Sequence, residues 1–336
     1  MTVMTEMTEL TEMTLPKMMK AVVLNKPTPA ADVTLCEIPV PKAVPGWVLL
    51  KIKAFGLNHS EQVLREFEIE NDYIKKPVVP GIECVGEIVD ASDSGYACGQ
   101  KVAALMGGMG RSFNGSYAEY ALLPAHHVFP VDSQLSWSEL AAIPETYFTA
   151  WGSLFQGLRL TAGDKLLVRG ATCALGYAAI QLARALGCMV IGTTHREAKM
   201  DLLKQSGCDE CILDDGALRG RVTGITKALE LVGISTLQDT MLSMEAGGIV
   251  CNTGILGKQY EWNHFDPIKD IPNGIYLTGF YSNYPTHDLI QEMFRFLEIH
   301  KIRPPIGAVF DFADIKNACI AMDEGKINGK IVVKLP

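Results

Sequence analysis

The residues best suited to chemistry in this 336-residue chain stand at the two ends of one stretch, Lys165 to Arg196. At its near end an apolar strand, Lys165 to Arg169, runs into a turn of small residues, Gly170-Ala171-Thr172-Cys173-Ala174-Leu175-Gly176. A helix is expected to follow over Tyr177 to Leu186, stopped by Gly187. This order sets a helix N-terminus, whose first N–H groups have no internal partner, where the pyrophosphate of a dinucleotide would sit. The turn matches the glycine fingerprint only in part, so an ordinary crossover without a ligand stays open for this segment taken alone. At the far end a second buried strand, Cys188 to Thr194, leads into Thr193-Thr194-His195-Arg196, with no acid before Glu197. A carboxylate there would hold a ribose diol. Two hydroxyls, an imidazole and a guanidinium suit a 2′-phosphate instead, and Lys199 adds charge. NADPH is therefore expected over NADH, the plainer alternative being a solvated Arg196 at a helix start.

The elements that must position these residues follow from pattern and punctuation. Strands are expected at Lys20 to Leu24, paired with Val33 to Glu37, then at Trp47 to Ala54, Pro80 to Val89 and Ser116 to Ala121, with Pro/Gly connections between them. Such short, punctuated strands indicate a β-rich domain. From Leu135 the pattern changes: helices are expected over Trp137 to Ala142 and Phe148 to Leu154, then strands and helices alternate. Strands at Glu210 to Leu213, Ala228 to Val232, Ile249 to Thr253 and Ile275 to Phe280 continue a parallel sheet, closed by a helix over Asp288 to His300. After Pro304-Pro305 a strand at Ile306 to Phe310, a helix at Ile315 to Met322 and a strand at Lys330 to Leu335 return the chain to the first domain.

Composition narrows the partners. Apolar residues make up 48% and charged residues 20%, enough for two domains with generous cores. A formal charge of −8 disfavours nucleic acid and anionic membrane as partners, and no apolar run has the length of a membrane span. Nine scattered cysteines, odd in number, suit free thiols in a reducing, cytoplasmic setting better than a disulfide framework. Residues 1–17 repeat Met-Thr-Glu units and are expected to form a disordered tail, without the apolar core of a signal peptide.

Several segments together resemble the medium-chain dehydrogenase/reductase family, on its zinc-independent quinone oxidoreductase branch. They are KAFGLNHSE at 53–61, PGIECVGEIV at 80–89, GSYAEYALLP at 115–124, PETYFTAWGSL at 144–154, NTGILG at 252–257 and the βαβ unit itself. The resemblance runs from about Met19 to Pro336. It implies an α/β protein: a GroES-like β-rich catalytic domain over 18–135 and 301–336, and a Rossmann doubly wound parallel-sheet domain over 136–300 that binds NADPH. The active site would lie in the cleft between them. Zinc-using members place a Cys, a His and a second Cys or an acid at positions that match Asn58, Ile82 and Glu145 here. An amide, an isoleucine and one carboxylate cannot build the usual zinc shell, so no metal is expected; an unusual site from Glu83, Glu145 and His59 is the weaker alternative. The family's usual glycines are replaced at Cys173 and Ala174, both small enough to be tolerated.

By the same resemblance, Asn58 faces the nicotinamide ribose, Thr149 packs against the nicotinamide, Gly254, Ile255 and Leu256 lie along the nicotinamide half, and Val232 flanks the adenosine side. Thr172 to Gly176 would hold the pyrophosphate. Without a metal, hydride transfer needs mainly positioning and exclusion of water. A proton for the reduced acceptor would come from Tyr147, His59, Glu145 or solvent. The expected function is NADPH-dependent reduction of a quinone or an α,β-unsaturated carbonyl, both small, apolar and electron-poor, in a cleft lined by Tyr147, Phe148, Trp151, Phe113 and Ile82. The alternatives are an enoyl reductase dedicated to one secondary metabolite and a non-catalytic NADPH-binding protein. A homodimer joined through the last parallel strand is expected.

Overall fold

The strands sort into sheets according to how many of their faces are covered. In this computed structural model, which describes residues 15–336, the strands Lys165–Arg169, Met189–Thr194 and Lys227–Glu230 are buried along most of their length, as expected for a parallel sheet covered on both sides. The parallel sheet has six strands in the order Glu210–Leu213, Met189–Thr194, Lys165–Arg169, Lys227–Glu230, Ile249–Asn252, Tyr276–Gly279. Numbered within the unit this is 3-2-1-4-5-6, so the strand order reverses between Lys165–Arg169 and Lys227–Glu230. The crevice outside those strand ends is where a doubly wound sheet takes its ligand.

A seven-stranded, mainly antiparallel sheet uses both ends of the chain. Its path runs Ile306–Asp311, Lys330–Lys334, Trp47–Gly56, Glu83–Asp90, Lys101–Leu105, Val128–Pro130, with Tyr120–Pro124 also paired to Trp47–Gly56. The last strand of the chain lies antiparallel to Trp47–Gly56, with Val332 opposite Gly56. That pairing delivers Lys330 to the centre of the molecule. The fold is thus α/β, a GroES-like β-rich part beside a Rossmann sheet.

Several boundaries differ from expectation for local reasons. The helix after the glycine turn begins at Ala174, not Tyr177, because Cys173 serves as its N-cap: its backbone is extended and its Sγ accepts the Gly176 N–H at 3.3 Å. The helix expected from Phe148 starts at Pro144, which occupies the first helical position, and continues past Trp151 as a π-helical turn over Gly152–Gly157. A Cβ at Gly152 would overlap the Phe280 ring, so the close approach of this turn to the sheet edge requires glycine. The strand expected at Ser116 to Ala121 lies at Tyr120–Pro124. Of the tail expected over 1–17, residues 1–14 lie outside the described residues. Residues 15–17 are ordered: Leu15 packs against the β-domain core, and the Lys17 carbonyl accepts the Val40 N–H at 3.1 Å.

Two buried ionic clusters brace these sheets. Arg169, fully buried at the end of its strand, donates bidentately to Asp214 (2.8 and 3.0 Å) and to Asp239 at 2.6 Å. Lys330, 3% exposed, lies 2.6 Å from the fully buried Glu83. Removing one partner of such a pair strands the other charge in the interior, a loss of about 3–5 kcal/mol. Lys330→Ala is therefore expected to lower stability by about that amount in urea unfolding, and a loss under 1 kcal/mol would show that the pair does not brace the fold.

Candidate active site

The buried cluster around Lys330 joins four separate elements. The Lys330 ammonium donates to Asn58 Oδ1 (2.6 Å), to Thr146 Oγ1 (2.9 Å) and to Glu83 Oε1 (2.6 Å), which uses all three of its hydrogens. The amide of Asn58 donates to Glu83 Oε1 at 2.8 Å, and the backbone N–H of Glu145 donates to Glu83 Oε2 at 2.8 Å. Glu83 is thus the hub that ties the His59–Glu66 helix, the Pro144–Trp151 helix and the C-terminal strand together. Gly56 makes room for this contact, since a Cβ there would overlap Lys330 Cε and stand 2.5 Å from Glu83 Oε1.

Glu145 reaches outward from this hub. Its Oε1 accepts from Thr149 Oγ1 at 2.7 Å and from Ser282 Oγ at 2.9 Å, while its Oε2 is buried with no hydrogen-bond partner among the described residues. Burial, reinforced by the charge of Glu83, pushes the Glu145 carboxyl up to about 8, against the two hydroxyl donors and Lys330. Glu61 differs. Burial pushes it up to about 7, but its two oxygens accept the backbone N–H groups of Asn58 (2.6 Å) and Ile82 (3.0 Å).

His59 stands beside Asn58 at the start of the same helix. Its Nδ1 lies 2.8 Å from Gln62 Oε1, and Gln62 Nε2 donates to Glu66 at 3.0 Å. Since the Gln62 amide gives its N–H to Glu66, its oxygen accepts, which sets the neutral imidazole as the Nδ1–H tautomer. The Nε2 of His59 is left buried and without a partner. Tyr147 is turned away from the role expected of it. Its hydroxyl donates to Gln181 on the Rossmann helix, the side chain is 1% exposed, and burial pushes the phenol up. The expected aromatic lining is likewise core. Phe148 packs edge-on against Phe280, Trp151 lies between Phe155 and Phe296, and Phe113 meets Trp47, with ring centroids 4.3 to 5.9 Å apart. Ile82 is 2% exposed.

At the other end of the crevice, Gly170 turns with φ +78°, and its missing side chain leaves Val232 and Leu256 close by. A Cβ at Gly176 would overlap the Ala171 carbonyl, and one at Gly254 the Leu231 carbonyl, so both loops press against their strands. Thr172, Cys173, Ala174 and Leu175 form the half-buried rim of the helix N-terminus. These features fit a dinucleotide pyrophosphate, although Cys173 Sγ already takes the N–H of Gly176. Gly254, Ile255 and Leu256 follow the Ile249–Asn252 strand, and Val232 follows Lys227–Glu230, its N–H held by Glu230 at 2.8 Å.

The expected phosphate group divides in two. Thr193 is fully buried and structural: its hydroxyl accepts the Gly170 N–H and donates to Asp214 at 3.1 Å, so it does not face a ligand. Thr194 is 1% exposed and pairs with Thr172 at 2.9 Å. His195 and Arg196 are exposed, with Arg196 Nε 3.2 Å from His195 Nε2. Burial chiefly, with the neighbouring Arg196 adding to it, holds the Lys199 amine below its usual range. Asp214, which packs beside this strand end, is consumed by Arg169.

The positions of Asn58, Ile82 and Glu145 do not fit a catalytic zinc shell, because Asn58 is held by Glu83 and Lys330 and Ile82 has no donor. Among the described residues no group of three or more His, Cys, Asp or Glu side chains is gathered for a metal.

Comparison with known proteins accords with this geometry. Residues 44–133 match the alcohol dehydrogenase GroES-like domain, and residues 174–298 match the zinc-binding dehydrogenase family model. A quinone oxidoreductase of Mus musculus is 30% identical over 66% of this chain and 67% of its own length. One of Pongo abelii is 28% identical over 95% of this chain and 98% of its own. The crystal structure of AibC superposes with a TM-score of 0.84 at 25% identity, covering 95% of this chain and 96% of that one. The chain belongs to the medium-chain dehydrogenase/reductase family, on its quinone oxidoreductase-like branch. It is an oxidoreductase that uses a nicotinamide cofactor.

Lys330, Thr146 and Ser282 have no role in the sequence reading, yet they complete the site. A lysine opening the apolar strand Lys330-Ile331-Val332-Val333 was the available signal, since a buried ammonium needs a carboxylate partner. The raised Glu145 value gives a pH prediction. The folded protein retains the Glu145 proton between the usual 4.5 and about 8, where the unfolded chain has lost it. Stability from this group is therefore full below about 4.5 and falls as pH rises towards about 8, by a few kcal/mol at most. Glu61 adds a fall in the same direction. The Tm of Glu145→Gln should gain on that of the native chain from pH 5 to pH 8, and a constant difference would contradict the protonated carboxyl.

Proposed function

We propose that this protein is an NADPH-dependent reductase that delivers hydride, without a metal, to a quinone or to the β-carbon of an α,β-unsaturated carbonyl. The observation that carries the reading is the site around Asn58. Its three metal-ligand positions are filled by an amide, an isoleucine and a carboxyl, and a Lys330–Glu83 ion pair organises them. Bound reduced nicotinamide would supply the hydride. The residues of this chain then have three tasks: to hold the cofactor, to orient the acceptor and to keep water out.

The strand-end loops Thr172–Gly176, Val232 and Gly254–Leu256 would hold the pyrophosphate and flank the two halves of the cofactor. Asn58, locked by two partners, would meet the nicotinamide ribose, and Thr149 would meet the ring. His59, with its Nε2 unpartnered, suits a cofactor or substrate hydroxyl. His195 and Arg196, with Lys199 behind them, would take the 2′-phosphate, Thr172 and Thr194 supplying hydroxyls beneath. A flat, apolar, electron-poor acceptor is supported by Leu256, Tyr260 and Phe67, each about half exposed, with the Phe67 and Tyr260 rings 6.0 Å apart.

The Tyr276–Gly279 strand has one neighbour in the sheet, and Tyr276, Tyr281 and Tyr284 are 62 to 74% exposed around it. This open edge supports a homodimer formed by extending the sheet. Nine free thiols support a reducing, cytoplasmic setting. No helix among the described residues is long and apolar enough to cross a membrane.

Fluorescence titration with NADPH and NADH, followed by absorbance loss against a panel of quinones and enones, tests the reading. Arg196→Ala should weaken NADPH binding about tenfold or more and leave NADH nearly unchanged. Equal losses for both would remove the phosphate assignment, and tight NADPH binding with no acceptor reduced would leave a binding protein.

A further inference from the structure

We propose that Glu145 is the proton donor of the reaction, delivering its Oε2 hydrogen to the carbonyl oxygen of the acceptor as hydride arrives. This rests on the reductase reading above and adds the acid which that reading leaves to solvent or to a side chain.

Hydrogen-bond direction locates the proton. Two hydroxyls, Thr149 on the same helix and Ser282 after the last parallel strand, both donate to Oε1. An acid proton on this carboxyl therefore belongs on Oε2, the oxygen that has no partner. A buried polar atom left unpaired while Asn58, Thr146, Glu83 and Lys330 around it are all satisfied calls for a ligand. Glu145 is also tied to the two residues that the reductase reading puts at the nicotinamide: Thr149 donates to its carboxyl, and Asn58 shares the Glu83 hub with its backbone N–H.

Charge balance keeps the proton in place. The groups facing Glu145 are Glu83 on its strand, Lys330 on the C-terminal strand, and the Thr149 and Ser282 hydroxyls. Lys330 is the one cation hydrogen-bonded within this cluster among the described residues, and its charge is answered by Glu83. A second carboxylate has no counter-charge, and burial holds Glu145 neutral up to about pH 8. Tyr147 lacks these features, because its hydroxyl is bound to Gln181, and His59 has one hydrogen-bond partner, Gln62, where Glu145 has two hydroxyl donors.

The step balances as follows. Hydride forms a C–H bond on the acceptor, and the displaced π pair moves to the carbonyl oxygen. That oxygen forms a bond to the Glu145 proton, the Oε2–H bond breaks, and its electron pair stays on the carboxylate. An enone becomes an enol. A quinone becomes the keto tautomer of its hydroquinone, which then reaches the hydroquinone as the carbon that took hydride loses a proton to solvent and the second carbonyl oxygen gains one from it. The Thr149 and Ser282 hydroxyls stabilise the carboxylate until solvent returns a proton on product release.

The test compares the native chain with Glu145→Gln and Ser282→Ala from pH 6 to pH 10. It uses NADPH with 1,4-naphthoquinone and infrared spectra of the cofactor-free proteins. The native spectrum at pH 7 should hold a protonated-carboxyl C=O stretch that titrates away near pH 8 and is missing from Glu145→Gln. The native kcat should fall over the same range. Glu145→Gln should bind NADPH as before, lose about 10²–10⁴-fold in kcat and lose the alkaline fall. Ser282→Ala, which removes one donor to the carboxylate, should move both the infrared titration and the alkaline fall to higher pH. A native chain that reduces naphthoquinone while Glu145→Gln keeps its rate and pH profile overturns the proton transfer alone. So does an alkaline fall that stays in place when Ser282→Ala moves the infrared titration. A native chain that binds NADPH and reduces no quinone or enone overturns the reductase reading and the proton transfer with it.

Discussion

The buried contact between Lys330 and Glu83 is the constraint on which the rest of this structure depends. An ammonium and a carboxylate taken from water are costly unless every hydrogen and lone pair is used, and here they are used by residues from four different elements. The last strand must pair with Trp47–Gly56 to bring Lys330 in, and Gly56 must lack a side chain to let it pass. The Pro144–Trp151 helix must start where its N–H groups meet Glu83, which fixes Glu145 and Thr149 one turn apart over the cleft. A closing strand from the far end of the chain thus sets the geometry of residues near its beginning.

The same accounting separates structural from functional polarity elsewhere. Arg169, Asp214, Glu230 and Thr193 lie at the strand ends beside the crevice, with Asp239 and Thr240 reaching them from the Ile234–Leu242 helix, and all are satisfied by one another or by backbone. They hold the crevice open without facing it. Two of the seven side-chain atoms buried without a partner among the described residues, Glu145 Oε2 and His59 Nε2, belong to the two helices that the Glu83 hub joins at Asn58. Burial with a partner marks support, and beside this hub the two unpartnered atoms are the ones free to meet a ligand.

Much of this architecture was legible from the residues. The strands of the parallel sheet and the glycine turn carry strong local signals, namely apolar runs of four to six residues, small residues at close approaches, and Gly187 as a stop. The site was legible only where it is local. Asn58, Glu145 and Thr149 come from motifs, whereas their contacts with Lys330 and Ser282 span sequence separations of 272 and 137 residues that no periodicity reveals. Side-chain direction was the other blind point. Tyr147, Phe148 and Trp151 occupy successive faces of a fully buried helix, so aromatic character there signals packing and not a substrate pocket. Thr193 fails as a ligand contact for the reason that governs any strand: alternate side chains point to opposite faces, and its face is taken by Asp214.

In the proposed reductase, the Lys330–Glu83 pair would take the organising role that zinc has in the zinc-using members the chain resembles. Turnover after exhaustive chelation tests it most directly. A chain stripped of zinc should reduce naphthoquinone with NADPH at its original kcat, and added zinc should not raise it. Activity that vanishes with the metal and returns at one zinc per chain would contradict the account.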